Sequence, residues 1–365
     1  MNYCSRRSFA IGLAGALTVQ GATSVRSHDL QSKRRRQLRP TIPLEVPDDD
    51  ATSNIDDLAW VKRHCLPFLQ KAFNVDDVCD CLHIGAILGR LSSLCYGSGR
   101  EAPIVAHSLG FTAGHSIEVD NLAAWVCEKN GVLVVAFRGT QNLRDAFNDA
   151  NIRRRLVPGG AMHSGFRLAY LRLKDKLDSL LDKASGARVW LTGHSLGGAL
   201  AVACGHEQSL VTDRDFEGIV TFGQPKLLGA VLRHTLAFPW KGRLFRFVNE
   251  ADIVTKIPPN YGHMGDGLWF KPGGGFDLIS NVIAAGAERA VDRVEAAWRP
   301  DWKFSETRDM LDGVYPDSDR RYGNLNQLPL PKPIRDHFMD GYLSHIGDEL
   351  RSIHKSMNSS VGVRP

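Results

Sequence analysis

The sequence predicts an α/β fold, a mostly parallel central sheet with helices on both faces. Three observations predict it. Short runs rich in Val, Ile, Leu and Phe alternate with longer stretches of helical periodicity, the pattern of strand–helix–strand units. The strand-like runs are almost continuously apolar, as strands buried on both faces must be. A glycine-framed serine, Gly193-His194-Ser195-Leu196-Gly197, stands between one such run and an Ala-rich stretch.

The elements follow in order. Residues 25–54 are polar, first basic and then acidic (Asp48-Asp49-Asp50), with three prolines, and read as a linker. Helical periodicity covers 58–73 and 82–95, the second stretch ending at Tyr96-Gly97. A strand at 125–127, a turn at Lys129-Asn130-Gly131 and the run 132–137 form a hairpin, which Arg138-Gly139-Thr140 ends. Leu168, Leu171, Leu177, Leu180 and Leu181 place an amphipathic helix over 165–183. A strand at 188–191, a helix at 196–206 and strands at 218–222 and 244–248 follow, and 267–270 should be the last strand of the sheet. After the break at Gly273-Gly274-Gly275, residues 276–298 read as one long helix, and Pro, Asp and Asn fill much of 300–333. The expected organisation is one domain over 55–365, with an insertion near 271–333 that lacks a core of its own.

Charge and cysteine content narrow the class. The formal charge is +5, but residues 1–39 carry eight Arg or Lys against one acid. The remainder, 37 basic and 39 acidic residues, is close to neutral, so a nucleic-acid footprint belongs to the tail alone. Ser5-Arg6-Arg7-Ser8-Phe9, the weakly apolar run 9–19 and the small residues Ala22-Thr23-Ser24 resemble a twin-arginine export signal over 1–24. Such a signal would send the protein to the periplasm or outside the cell; without it the chain would be cytoplasmic. The run of 11 residues is far short of the ~20 that span a bilayer, and no transmembrane segment is expected. Seven cysteines form neither a zinc pattern nor an even disulfide framework.

Gly193-His194-Ser195-Leu196-Gly197 fits the G-x-S-x-G turn that lifts a serine hydroxyl clear of a sheet. The turn closes only if its neighbours are small, and Gly193, Gly197 and Gly198 meet that demand. A helix starting at Leu196 also places positive dipole where an oxyanion would develop. Such a serine needs a base, and the base an orienting acid. In this arrangement the order along the chain is serine, acid, histidine. Asp252 follows the strand 244–248, with Glu250 as its competitor. His263, His337 and His345 are the candidate bases. His337 fits best, because His263 precedes the last expected strand and a base normally hangs on a loop beyond it.

Five blocks in order resemble the class 3, or fungal-type, lipase family of the α/β-hydrolase superfamily. They are Val134-Val135-Ala136-Phe137-Arg138-Gly139-Thr140, Met162-His163-Ser164-Gly165-Phe166, the serine turn through Ala199, Thr221-Phe222-Gly223-Gln224-Pro225-Lys226, and Arg246 to Pro259 around Asp252. The similarity spans roughly 82–345, with 271–333 unmatched. The resemblance implies an α/β-hydrolase fold, Ser195 as nucleophile and Asp252 as acid. It implies Thr140 (backbone N–H and hydroxyl) and the Leu196 N–H as oxyanion donors. His263 matches a block near the family's site that does not supply the base, and the family's base near the C-terminus supports His337. The lid of the family corresponds to 141–158, where only Leu143, Ala146, Phe147 and Ile152 are apolar. Strong interfacial activation is therefore not expected, and any contact with a lipid interface should be transient. The expected activity is hydrolysis of acylglycerol esters through an acyl-enzyme, without metal or cofactor. A phospholipase or a soluble-ester esterase is the alternative within enzymes, and an inactive hydrolase fold used for binding the alternative outside them.

Overall fold

A computed structural model of the chain describes residues 57–96, 101–139, 153–184, 186–279 and 332–361. The chain divides into two units, Met1–Leu44 and Glu45–Pro365, and every described residue belongs to the second. The expected signal, most of the linker and the greater part of the insertion lie outside the described residues.

The helices are α1 (Leu58–His64), α2 (Val78–Leu94), α3 (Glu101–Ser108), α4 (Ser164–Lys183), α5 (Leu196–Leu210), α6 (Ala230–Ala237), α7 (Lys332–Arg335) and α8 (Met339–Val361). The strands are β1 (Thr112–Val119), β2 (Leu122–Lys129), β3 (Val132–Phe137), β4 (Arg154–Val157), β5 (Gly160–His163), β6 (Arg188–His194), β7 (Gly218–Phe222), β8 (Leu244–Asn249), β9 (Asp266–Phe270) and β10 (Phe276–Ile279). Eight form one sheet in the order β1-β2-β3-β6-β7-β8-β9-β10, and β4-β5 form a separate hairpin. Strands β3, β6, β7, β8 and β9 run parallel, with antiparallel strands at both edges.

Alternation along the strands makes two cores. Val132, Val134 and Ala136 of β3 face α1, α2, α3 and α8, together with Phe222 and Phe247. Leu133, Val135 and Phe137 face α4, α5 and α6, together with Leu191 and Ile219. Both faces are thus covered, which is why these runs carry no polar alternation. The register pairs Phe137 with Gly193, His194 with Phe222, and Phe222 with Phe247. The carboxyl ends of β3, β6, β7 and β8 therefore finish level, at the edge where open α/β sheets carry their sites.

Three expectations need correction. Residues 276–279 are the edge strand β10, paired antiparallel with β9, and not the start of a long helix; β9 is not the last strand. The glycine triplet lets the chain reverse there, with Gly273, Gly274 and Gly275 all at positive φ. The helix expected over 58–73 ends at His64 and continues only as a 3₁₀ turn, Leu66–Gln70, because Pro67 cannot extend an α-helical ladder. Finally, α4 buries Arg167, Tyr170, Leu173, Leu177 and Leu181, whereas Leu168 is exposed. The i, i+3, i+4 series from Tyr170 sets its phase, not the leucines alone.

Candidate active site

Ser195 joins β6 to α5 at φ +57° and ψ −128°, a region that costs a non-glycine residue roughly 1–3 kcal/mol. Its N–H donates to the Phe222 carbonyl (2.9 Å) on the neighbouring strand. The surrounding glycines are obligatory. A Cβ on Gly193 would lie 2.3 Å from the Gly197 carbonyl carbon, and one on Gly197 would lie 2.1 Å from the Phe137 carbonyl oxygen. No side chain fits where the turn passes over the ends of β3 and β6. Leu196 opens the 15-residue helix α5, so its N–H has no intrahelical acceptor.

Asp252 lies three residues beyond β8 and is fully buried. Its Oδ2 accepts from His337 Nδ1 at 2.9 Å and from the Tyr342 hydroxyl at 2.5 Å. Its Oδ1 accepts the Val254 N–H at 2.8 Å. Three donors compensate a carboxylate that burial would otherwise penalise. Burial and the Asp252 charge hold the Tyr342 phenol well above its usual pKa, so it remains a donor. His337 donates its Nδ1–H to the carboxylate, so in the neutral ring Nε2 carries the lone pair. That Nε2 is buried, with no hydrogen-bond partner among the described residues.

Gly223 lies between the strand end that holds Ser195 and the Asp252–His337 pair. It follows Phe222, which holds the Ser195 N–H, and sits at φ +56°. A Cβ there would lie 2.8 Å from Asp252 Oδ2 and 3.0 Å from His337 Nδ1. On the other side, the His194 ring lies 4.6 Å from the His337 ring, and its Nε2 donates to the His337 carbonyl at 2.6 Å.

The competing residues are engaged elsewhere. Glu250 pairs with Lys332 and with His345 Nε2, the latter at 3.3 Å, and His345 stacks on Phe270. His263 donates from Nε2 to the Thr255 carbonyl at 2.7 Å. Burial, then Arg246 and Lys226, drive its pKa well below the usual value. Thr140 and residues 141–152 of the expected lid lie outside the described residues; residues 154–157 form β4. Among the described residues, no group of His, Cys, Asp and Glu is arranged to hold a metal ion.

Sequence reasoning missed Tyr342, Gly223 and Asp336. The signal for Gly223 was its place directly after a buried strand. Asp336 accepts the Ala251 N–H on Oδ2, and its carbonyl accepts from Asn249 Nδ2 at 2.8 Å. It thereby ties the chain ahead of His337 to the end of β8.

A mostly parallel sheet with a serine at a strained strand-to-helix turn and an Asp–His pair beyond its carboxyl edge is the arrangement of the α/β-hydrolase fold. Residues 134–262 match the family described as Lipase (class 3). A secreted mono- and diacylglycerol lipase of Malassezia restricta is 26% identical over 179 residues, 44% of this chain and 59% of that relative. A lipase of Rhizomucor miehei is 29% identical over 155 residues, 38% of this chain and 41% of that relative. The solved triacylglyceride lipase of Rhizomucor miehei is similar with a TM-score of 0.46 and 20% identity, over 56% of this chain and 86% of that one. Residues 134–262 are thus similar to the class 3, fungal-type lipase family. The chain spans 59% or less of the length of these two curated relatives.

Proposed function

We propose that the protein is a serine carboxylic-ester hydrolase acting on acylglycerols, with Ser195 as nucleophile, His337 as base and Asp252 as acid. The observation that carries this reading is the buried Asp252–His337 pair against Gly223, one residue past the carbonyl that holds the Ser195 N–H. In the first step His337 Nε2 takes the Ser195 proton as Oγ bonds to the ester carbonyl carbon. Asp252 stabilises the resulting imidazolium through Nδ1–H. The Leu196 N–H, and Thr140 by resemblance, donate to the oxyanion. Collapse breaks the ester C–O bond, His337 gives its proton to the leaving alcohol, and water repeats the sequence on the acyl-enzyme.

The relatives named above act on acylglycerols or carry lipase names, which favours that substrate class over phospholipids. The secreted relative likewise favours export, in keeping with the twin-arginine-like start. No helix among the described residues is long and apolar enough to cross a membrane.

Initial rates on emulsified triacylglycerol and diacylglycerol, on phospholipid and on p-nitrophenyl butyrate test the reading. Acylglycerols are expected to be cleaved fastest, with and without EDTA. Ser195→Ala is expected to lower turnover on the order of 10⁴-fold or more. A Ser195→Ala protein of undiminished rate excludes the mechanism, and a preference for phospholipid excludes the substrate class.

A further inference from the structure

His194, the variable position of the serine turn, has a role that nucleophile chemistry does not require of it. It is 5% exposed, ends β6 and lies between Tyr96 and His337, the residue proposed as base. Its Nε2 lies 2.6 Å from the His337 carbonyl oxygen, which can only accept, so Nε2 carries the proton. Its Nδ1 lies 2.8 Å from the Tyr96 hydroxyl, which must then donate. Both ring nitrogens are satisfied in one neutral tautomer. Burial, and next the adjacent His337, keep its pKa well below the usual histidine value, consistent with that state.

On the proposed function above, we infer that His194 is a positioning residue: its neutral Nε2–H tautomer, pinned by the Tyr96 hydroxyl, holds the main chain of His337 and so sets where the ring of the proposed base hangs. Asp252 fixes only the Nδ1 edge of the His337 ring, about which the ring could still swing. The His194 hydrogen bond fixes the backbone from which that ring hangs. The two imidazoles lie 4.6 Å apart and tilted by 31°, so the imidazolium formed in the reaction meets a neutral neighbour. The same latch reaches the oxyanion turn. A Cβ on Gly139 would run into the Tyr96 hydroxyl and lie 2.7 Å from the His194 carbonyl oxygen. His194 is not itself a base, since its only lone pair already accepts from Tyr96.

The test uses the full chain with His194→Gln, His194→Phe and Tyr96→Phe, assayed on p-nitrophenyl butyrate. His194→Phe is expected to lower kcat about a hundredfold, the scale of an ångström-sized misplacement, with KM nearly unchanged. His194→Gln, whose side-chain amide N–H can replace Nε2–H, is expected to restore most of that kcat. Tyr96→Phe, which frees the tautomer, is expected to fall between them. A second readout does not depend on turnover: the low-field proton NMR signal of His337 Nδ1–H should persist in His194→Gln and shift or broaden in His194→Phe. Full kcat in His194→Phe, or Gln no better than Phe, overturns the inference while leaving the hydrolase reading intact. Wild-type turnover that survives Ser195→Ala overturns the hydrolase reading, and an NMR signal unchanged in His194→Phe still overturns the positioning role. If circular dichroism shows His194→Phe unfolded, the same two readouts on Tyr96→Phe decide, with wild-type values counting against the inference.

Discussion

A single missing methyl group at Gly223 keeps the acid and the imidazole in place. Alanine there would put its Cβ 2.8 Å from Asp252 Oδ2 and 3.0 Å from His337 Nδ1, at a backbone φ of +56°. Gly223→Ala is therefore expected to lower kcat about a hundredfold through displacement of the pair. Gly131→Ala is the control for strain alone, since Gly131 also has positive φ but nothing within 4 Å of its Cβ position. It should lower Tm and leave kcat unchanged. Equal kcat losses in both variants would show that strain, not intrusion, matters. At this scale the placement of Ser195 at a strand-to-helix turn and of Asp252 just past a strand was legible because local spacing carries them: a turn of glycines, and an acid just past an apolar run. His337 was narrower, one of three histidines, because its tie to Asp252 crosses 85 residues. Tyr342 and the hydrogen bonds of His194 had no sequence signal, since their partners are set by packing alone.

Three histidines from three helices meet on the face of the sheet that α8 covers. His83 of α2 donates from Nδ1 to the Cys79 carbonyl (2.7 Å), and its Nε2 meets His354 Nε2 of α8 at 3.3 Å. His64 of α1 completes the group, with Trp60 and Phe68 packed on the rings. Burial lowers all three pKa values, that of His83 to about 3. The unfolded chain then binds more protons than the folded one below the ordinary histidine pKa of about 6.5. The stability from these neutral rings is complete above that pH and is lost progressively as pH falls from it toward 3. Urea unfolding between pH 7.5 and 4 should show falling stability, and His354→Gln should flatten the slope. An unchanged slope in that variant would remove the cluster from the account. Other buried histidines, His163, His206 and His263, add to the same trend. The parallel strands were legible from their apolar runs. Helix α8 buries Tyr342, Leu343, Ile346 and Leu350 at helical spacing, a periodicity that the sequence carries there as well. At 276–279 the expected helix gives way to a strand, since Phe276-Asp277-Leu278-Ile279 fits a short strand as well as a helical turn and pairing with β9 decides between them; residues 280–298 of that expectation lie outside the described residues.

The whole chain joins a nearly neutral unit to a strongly basic start. Residues 45–365 carry 37 basic and 39 acidic side chains, and residues 1–44 carry eight against one. A chain beginning at residue 45 is expected to match the full chain in turnover and Tm, and to lose retention on a cation exchanger at pH 7. A drop in turnover would mean that the first 44 residues support the catalytic unit. The doubly covered sheet was legible because burial on both faces writes itself into composition. The domain boundaries remain our proposal: export segment over 1–24, linker over 25–54 and catalytic domain over 55–365.

The bridge from Asn249 and Ala251 to Asp336 has a consequence for how such a chain can diversify. Asp252 and His337 are fastened to each other locally, so their separation does not depend on how many residues lie between them in sequence. Lengthening a closed loop adds only about 0.6 kcal/mol per doubling. The number of residues between Asp252 and His337 in sequence can therefore change while the pair itself stays in register.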